Sequence, residues 1–201
     1  MNYPSHLIEQ AVNELARFPG IGKKSALRMV LYLLKQNPED VDRMSDALTR
    51  LRHDIKFCAL CNNVADEDIC RICSGVNRNK QLLCVVEDLR DVMAIENTGQ
   101  YNGLYYVLGG LISPMDGVGP ENLNIDKLVN RVTTEGVDEI LVALSATMEG
   151  DTTTFYLSKR LRESGVKITT ISRGIAVGGE LEYADEITLG RSIMNRVPYT
   201  G

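Results

Sequence analysis

Four of the chain's five cysteines fall in one short polar stretch as two pairs, Cys58-x2-Cys61 and Cys70-x2-Cys73, eight residues apart. Each Cys-x-x-Cys can present two sulfurs to one ion, and a short intervening loop can fold the second pair back to complete a tetrahedron. Four thiolates leave zinc no open position, so the predicted role of Zn(2+), one ion per chain, is structural. Disulfides compete for the same residues, but nothing marks export and a reducing thiol pool disfavours them. The negative charge of such a centre is predicted to be offset by the neighbouring Arg52, Lys56 and Arg71. Cys84 lies inside Leu82-Leu83-Cys84-Val85-Val86 and reads as a small core residue.

A second cluster points to anion binding. Phe18-Pro19-Gly20-Ile21-Gly22-Lys23-Lys24-Ser25-Ala26 joins two helical patterns through glycines spaced by one apolar residue. Gly20 and Gly22 let the backbone take positive φ and approach a phosphate oxygen, and the following helix presents its positive dipole end. Lys23, Lys24 and Arg28 add mobile positive charge beside it. Such a hairpin grips a nucleic-acid backbone and carries no base code, so binding is expected to be sequence-independent and salt-sensitive. A tight helix–helix turn with solvated lysines is the alternative.

A third set is acidic. Glu87 closes an apolar run at the sheet edge where functional groups gather, and Glu149 and Asp151 follow the run Ile140 to Leu144. Together they form a candidate magnesium cluster, while the plainer reading has Glu149 and Asp151 help start a helix at Thr152.

The elements that carry these residues change character along the chain. Apolar residues recur at three- and four-residue steps from Leu7 to Phe18 and from Ala26 to Leu34, and a third helix is expected from about Val41 to Phe57, after Asn37-Pro38. Residues 58–80 hold no sustained period and need a staple. From Gln81 onward short apolar runs alternate with helical ones, which implies a mostly parallel sheet covered on both faces. Pro114 to Pro120 and Gly174 to Gly179 are loop excursions.

Charge follows the same division. Of 201 residues, 44% are apolar and 24% charged, within globular norms, and the formal charge is −5. Residues 1–56 carry nine Lys/Arg against seven Asp/Glu, whereas residues 81–201 carry ten against seventeen. The acidic total argues against a protein that coats nucleic acid everywhere but permits a local basic site. No apolar stretch approaches the roughly 18 residues of a membrane span, and no secretory signal is visible, so a cytoplasmic location is expected.

Helical hairpin, four-cysteine insert and acidic-edged α/β domain, in that order, resemble the bacterial RecR family of recombination mediators. The resemblance covers essentially the whole chain. It rests most on Cys58-x2-Cys61-x8-Cys70-Arg71-Ile72-Cys73-x4-Arg78, and further on Pro19-Gly20-Ile21-Gly22 with Lys24-Ser25-Ala26-x-Arg28, Cys84-Val85-Val86-Glu87, Ile112 to Pro120 and Gly178-Gly179-Glu180-Leu181-Glu182. It implies an α+β multi-part chain: a helix-hairpin-helix at 1–57, a four-cysteine zinc finger at 58–80, an α/β Toprim domain with a parallel sheet at 81–173 and a C-terminal helical oligomerisation segment at 174–201.

The resemblance also implies a non-enzymatic DNA clamp of nucleoid-associated repair. The family's DNA-contacting positions fall on Lys24 and Arg28, to which the hairpin reading adds Gly20, Gly22 and Lys23, and the chain would bind double- and single-stranded DNA as a homotetrameric ring or homodimer. RecO and RecF would be partners in loading RecA, with RecO contact at the Toprim cluster Glu87, Glu149 and Asp151. A magnesium-dependent nuclease or primase-like enzyme is the alternative. Against it, Ser145 and Thr147 stand where a catalytic Toprim enzyme has an Asp-x-Asp pair, and hydroxyls are poor magnesium ligands. Lys23, Ala65, Arg173 and Ala176 also depart from the family pattern.

Overall fold

The computed structural model describes residues 3–175 and 177–198; Ala176 lies outside the described residues. The chain divides after Ile55 into a helical unit and a larger finger–sheet unit.

In the helical unit, α1 (His6–Leu15) and α2 (Lys23–Leu33) pack through the buried Val12, Ala26 and Val30. A longer helix, α3 (Pro38–Asp54), starts at its proline, whose missing N–H costs nothing at the first helical position. Glu39 and Asp40 in its first turn and Arg52 and His53 in its last complement the helix dipole. Yet none of its residues is buried, and Leu48 and Leu51 lie exposed. It begins earlier and ends earlier than periodicity implies, because Lys56–Phe57 leaves the helix as strand β1 and pairs antiparallel with β2 (Val64–Ala65).

The second unit is built on four parallel strands, β3 (Asn79–Val86), β4 (Gly103–Val107), β5 (Glu139–Val142) and β6 (Lys167–Thr170), in the order β4-β3-β5-β6. Strand pleating sends alternate residues to opposite faces. Leu83, Val85, Leu104 and Tyr106 therefore meet α5 (Ile125–Glu135) and α6 (Met148–Arg160) through Leu128, Val132 and Leu157. Cys84, Val86, Tyr105 and Val107 face the other way, with Val92 of α4 (Leu89–Asn97). Cys84 is thus the core residue expected, and burial pushes its thiol up to about 12.

α6 starts at Met148, four residues before Thr152, because Thr147 caps it by accepting from the Gly150 amide at 3.2 Å. The stretch Ile112 to Pro120 is a compact loop: Ser113 and Val118 form a β-bridge around Gly117 (φ +71°), and the Ile112 amide donates to Thr153 Oγ1 at 2.9 Å. A last helix, α7 (Glu186–Met194), buries none of its residues. Among the described residues, no helix is long and apolar enough to cross a membrane.

β4 is an edge strand, but its edge is not open. Leu108 turns its amide inward to Val86 O, so the odd-numbered residues of β4 direct their backbone groups outward. Gly103 O accepts from Arg78 Nη1 at 3.4 Å, and Tyr105 O from Arg131 Nη1 at 3.2 Å. The Val107 amide donates to Cys61 O at 2.8 Å, and Val107 O accepts from Asn62 Nδ2 at 3.0 Å. Covering an edge in this way removes a template for unwanted strand pairing.

Candidate metal centre and nucleic-acid interface

Cys58, Cys61, Cys70 and Cys73 are all buried, and their sulfurs lie within 4.8 Å of one another; among the described residues they are the one such group of three or more metal-ligating side chains. Sulfurs around a tetrahedral zinc, with Zn–S of about 2.3 Å, stand about 3.8 Å apart, and Cys61 and Cys70 are already at 3.5 Å. The Cys70 amide donates to Cys58 Sγ at 3.3 Å and the Cys73 amide to Cys70 Sγ at 3.4 Å, the kind of support thiolates require. The hydrogen bond joining Cys61 and Cys70 pushes the Cys61 thiol far above the usual range and Cys70 far below it. A dication among them would make all four anionic. The donor set, its spacing and its burial fit one structural zinc.

Local sequence explains the knuckles. Asn62 takes φ +59°, a left-handed conformation that asparagine tolerates better than most residues. That turn frees the Cys61 carbonyl and the Asn62 amide group for β4. Ala65 puts a methyl among the thiols, and Ile72 packs against the finger cluster and both sheet cores.

The cations nearest in sequence are all exposed. Lys56 Nζ holds Asp68 at 2.7 Å, Arg71 is almost fully exposed 3.9 Å from Asp66, and Arg52 is an exposed residue of the helical unit. Arg131, which no local pattern marks, is buried beside the finger instead. Its Nη1 donates to Leu60 O at 3.1 Å, between the first two ligands, and its Nε to Glu135 Oε2 at 2.8 Å. Burial opposes its charge, but Glu135 and then Cys73 and Cys61 more than offset that and leave it above its ordinary value.

Arg78, the arginine trailing the finger motif, forks onto both carboxylate oxygens of Glu96, which also accepts from Tyr105 Oη at 2.7 Å. The guanidinium holds Glu96 below the usual carboxylate range.

The hairpin places its cations together on the surface. Lys23, Lys24 and Arg28 are exposed on α2, whose first turn carries no acid and whose N-terminus has no side-chain cap. Among the described residues, the Lys and Arg ion pairs of this unit, Arg17–Glu14, Arg43–Asp40 and Arg50–Asp54, leave these three cations out. Of the two glycines, Gly20 takes positive φ (+78°); Gly22 is extended at φ −84° and serves as the N-cap. The backbone conformation at Gly22 is therefore one that any residue can adopt.

The acidic residues do not converge. Glu87 follows β3, and burial, then Asp91 and Asp88, raises its carboxyl. Glu149 sits in the first turn of α6, and Asp151 is held by both Nη atoms of Arg173, which lower its carboxyl. Asp91 accepts from the Glu87 and Asp88 amides at 3.1 and 3.2 Å, so it is a helix-starting group. Ser145 and Arg173 help line a cleft of about 320 Å³ at this sheet edge.

Residues 8–52 match the pattern of the RecR helix-hairpin-helix, residues 55–75 the four-cysteine zinc finger domain of RecR, residues 81–172 the Toprim domain and residues 174–197 the RecR C-terminal region. The chain is similar to the recombination protein RecR of Flavobacterium johnsoniae, with 61% identity over 99% of this chain and 97% of the relative. Against recombination protein RecR of Amoebophilus asiaticus it is 56% identical over 99% of this chain and 100% of the relative, and against that of Bacteroides fragilis 53% over 99% and 97%.

Proposed function

The chain belongs to the RecR family, and we propose that it acts in recombinational DNA repair as a non-enzymatic, sequence-independent DNA clamp and adaptor. The observation that carries this reading is the hairpin: three exposed cations stand beside uncapped helix amides, with no acid in the first turn. Phosphate oxygens satisfy such donors, and Gly20 and Gly22 keep the approach free, with nothing within 4 Å of a built Cβ at either.

We read 1–57 as the DNA-binding helices, 58–80 as the finger, 81–173 as the Toprim domain and 174–201 as the oligomerisation segment. The exposed apolar side chains of α3 and of the C-terminal segment, such as Leu48, Leu51, Ile187 and Met194, support assembly into a homodimer or homotetrameric ring. In that assembly the acidic sheet domains would repel DNA while the hairpins line a positive channel. RecO and RecF are the proposed partners in loading RecA at single-stranded gaps, with Glu87, Glu149 and Asp151 as the contact for RecO. On this reading the chain works in the cytoplasm with the nucleoid.

A titration of end-labelled gapped DNA, with and without magnesium, read on native and then denaturing gels, tests this. Salt-sensitive retardation with intact strands is expected. Magnesium-dependent shortening that Glu87→Gln abolishes would replace the clamp with a Toprim enzyme, and no retardation at low salt would remove the DNA site.

A further inference from the structure

A zinc ion with four thiolates carries two net negative charges, and an anion buried away from water needs a nearby cation or donors. Lys56 and Arg71 are exposed and lie beside Asp68 and Asp66. Arg131 differs from both. Its side chain is 5% exposed, and it comes from α5, 71 residues away from the carbonyl it holds. One nitrogen, Nη1, is shared between Leu60 O within the first Cys-x-x-Cys and Tyr105 O on the outer edge of β4. Its carboxylate partner Glu135 stands at the rim, 38% exposed, so water screens that pair on one side.

We propose that Arg131 is the buried counter-cation of the zinc centre and the positioning residue through which the metal-bound knuckle is locked to the β4 edge. The guanidinium suits both tasks: Nη1 alone reaches two carbonyls while Nε holds Glu135, and its delocalised charge rests on a carbonyl that lies between two of the ligands without itself ligating. An edge staple alone would need only the hydrogen bonds; a counter-cation needs the charge.

Three variants of the full chain separate these roles: Arg131→Met, which keeps length and loses charge and fork, Arg131→Lys, which keeps charge, and Glu135→Gln, which removes the competing anion. Zinc transfer to a chromogenic chelator is timed well below each variant's melting temperature, and the cobalt-substituted proteins are compared by their thiolate charge-transfer bands. Arg131→Met is expected to release zinc about 10- to 100-fold faster, the loss of affinity usual for a group outside the ligand sphere being carried by the release step. Arg131→Lys should recover much of that loss, Glu135→Gln should release zinc no faster than the unaltered chain, and the cobalt band should shift in Arg131→Met. Wild-type release from Arg131→Met would overturn the proposal, as would Arg131→Lys behaving like Arg131→Met. If Arg131→Met does not fold, the other two variants decide. Faster release from Glu135→Gln would also count against a counter-cation. None of these readouts uses DNA, so they stand or fall apart from the clamp.

Discussion

The helical unit and the finger–sheet unit handle their polar and apolar groups in opposite ways. In the sheet unit both faces of β3 and β4 are covered, and the edge of β4 is occupied by Arg78, Arg131 and the Cys61–Asn62 knuckle. Among the described residues of the helical unit, three small side chains make the buried core, α3 buries nothing, and Lys23, Lys24 and Arg28 lie outside the ion pairs. The difference separates strands whose faces and outer edge are covered within the chain from helices, α3 in one unit and α7 in the other, that leave apolar side chains exposed. Interaction surfaces in general are built from contiguous exposed apolar residues.

The sharpest way to break this comparison is to remove the metal. Cys58→Ala should forfeit a large share of the roughly 10–16 kcal/mol that structural zinc contributes in zinc-finger peptides. Zinc should fall from one per chain to near none by elemental analysis, and hydrogen exchange should open the finger together with β4, whose Val107 amide is held by Cys61 O. α1 and α2 should keep their protection. Equal loss of protection in both units would mean that they are not energetically separate.

The next effect concerns only the helical unit. Lys24→Ala with Arg28→Ala should cost about 2–3 kcal/mol of DNA binding, roughly 30- to 160-fold, if each cation meets a phosphate. The salt slope of log K should shrink by about two. Unchanged affinity and slope in a salt titration would move the DNA site elsewhere, while the melting of the finger–sheet unit should be unaffected.

A smaller effect measures the two cores against each other. Val85 and Val12 are both fully buried, one in the sheet core and one in the helical core. Val85→Ala should cost about 2–3 kcal/mol, because a tightly covered sheet cannot close the void, and Val12→Ala about 1 kcal/mol, because a thin core can collapse. Opening free energies from native-state hydrogen exchange would read each unit separately. Equal costs would show that the helical core is as rigid as the sheet.

What can be read from the sequence follows the same divide between local and distant. The four thiols are legible because their spacing is itself the chemistry, and the strand–helix alternation because periodicity reports the buried face. The trailing Arg78 is visible as a motif but its partners Glu96 and Gly103 are not, since they lie 18 and 25 residues onward in the chain. Arg131 carries no signal at all: on α5 it falls between Leu128 and Val132 on the buried face, and only the docked finger explains a charge there. The start of α6 escapes the sequence because Thr147, not Thr152, provides the cap, which a run of hydroxyl residues hides. Gly22 reads as a conformational glycine and is instead a bare N-cap.

The smallest expected effect tests whether the sheet unit's ties are electrostatic as well as geometric. Arg78 and Glu96 are 19% and 29% exposed, so their pair is screened only in part, and Glu96→Gln, which keeps the shape and an acceptor, should cost about 1 kcal/mol. Arg78 lowers Glu96 below its ordinary 4.5, so the charged form is favoured by folding. Its contribution is therefore fully present above about pH 4.5 and is lost as pH falls through the lower, folded value. The stability difference between the unaltered chain and Glu96→Gln should be flat from neutral pH down to that point and shrink below it. A carbon-detected titration of the Glu96 carboxyl reads the same quantity directly and does not depend on the zinc staying bound through unfolding. It should titrate below free glutamate, and Arg78→Ala should move it upward. Titration at or above the ordinary value would make Arg78 a hydrogen-bond donor to Gly103 and little more, and the helical unit would no longer be distinguished by where its charges are paired.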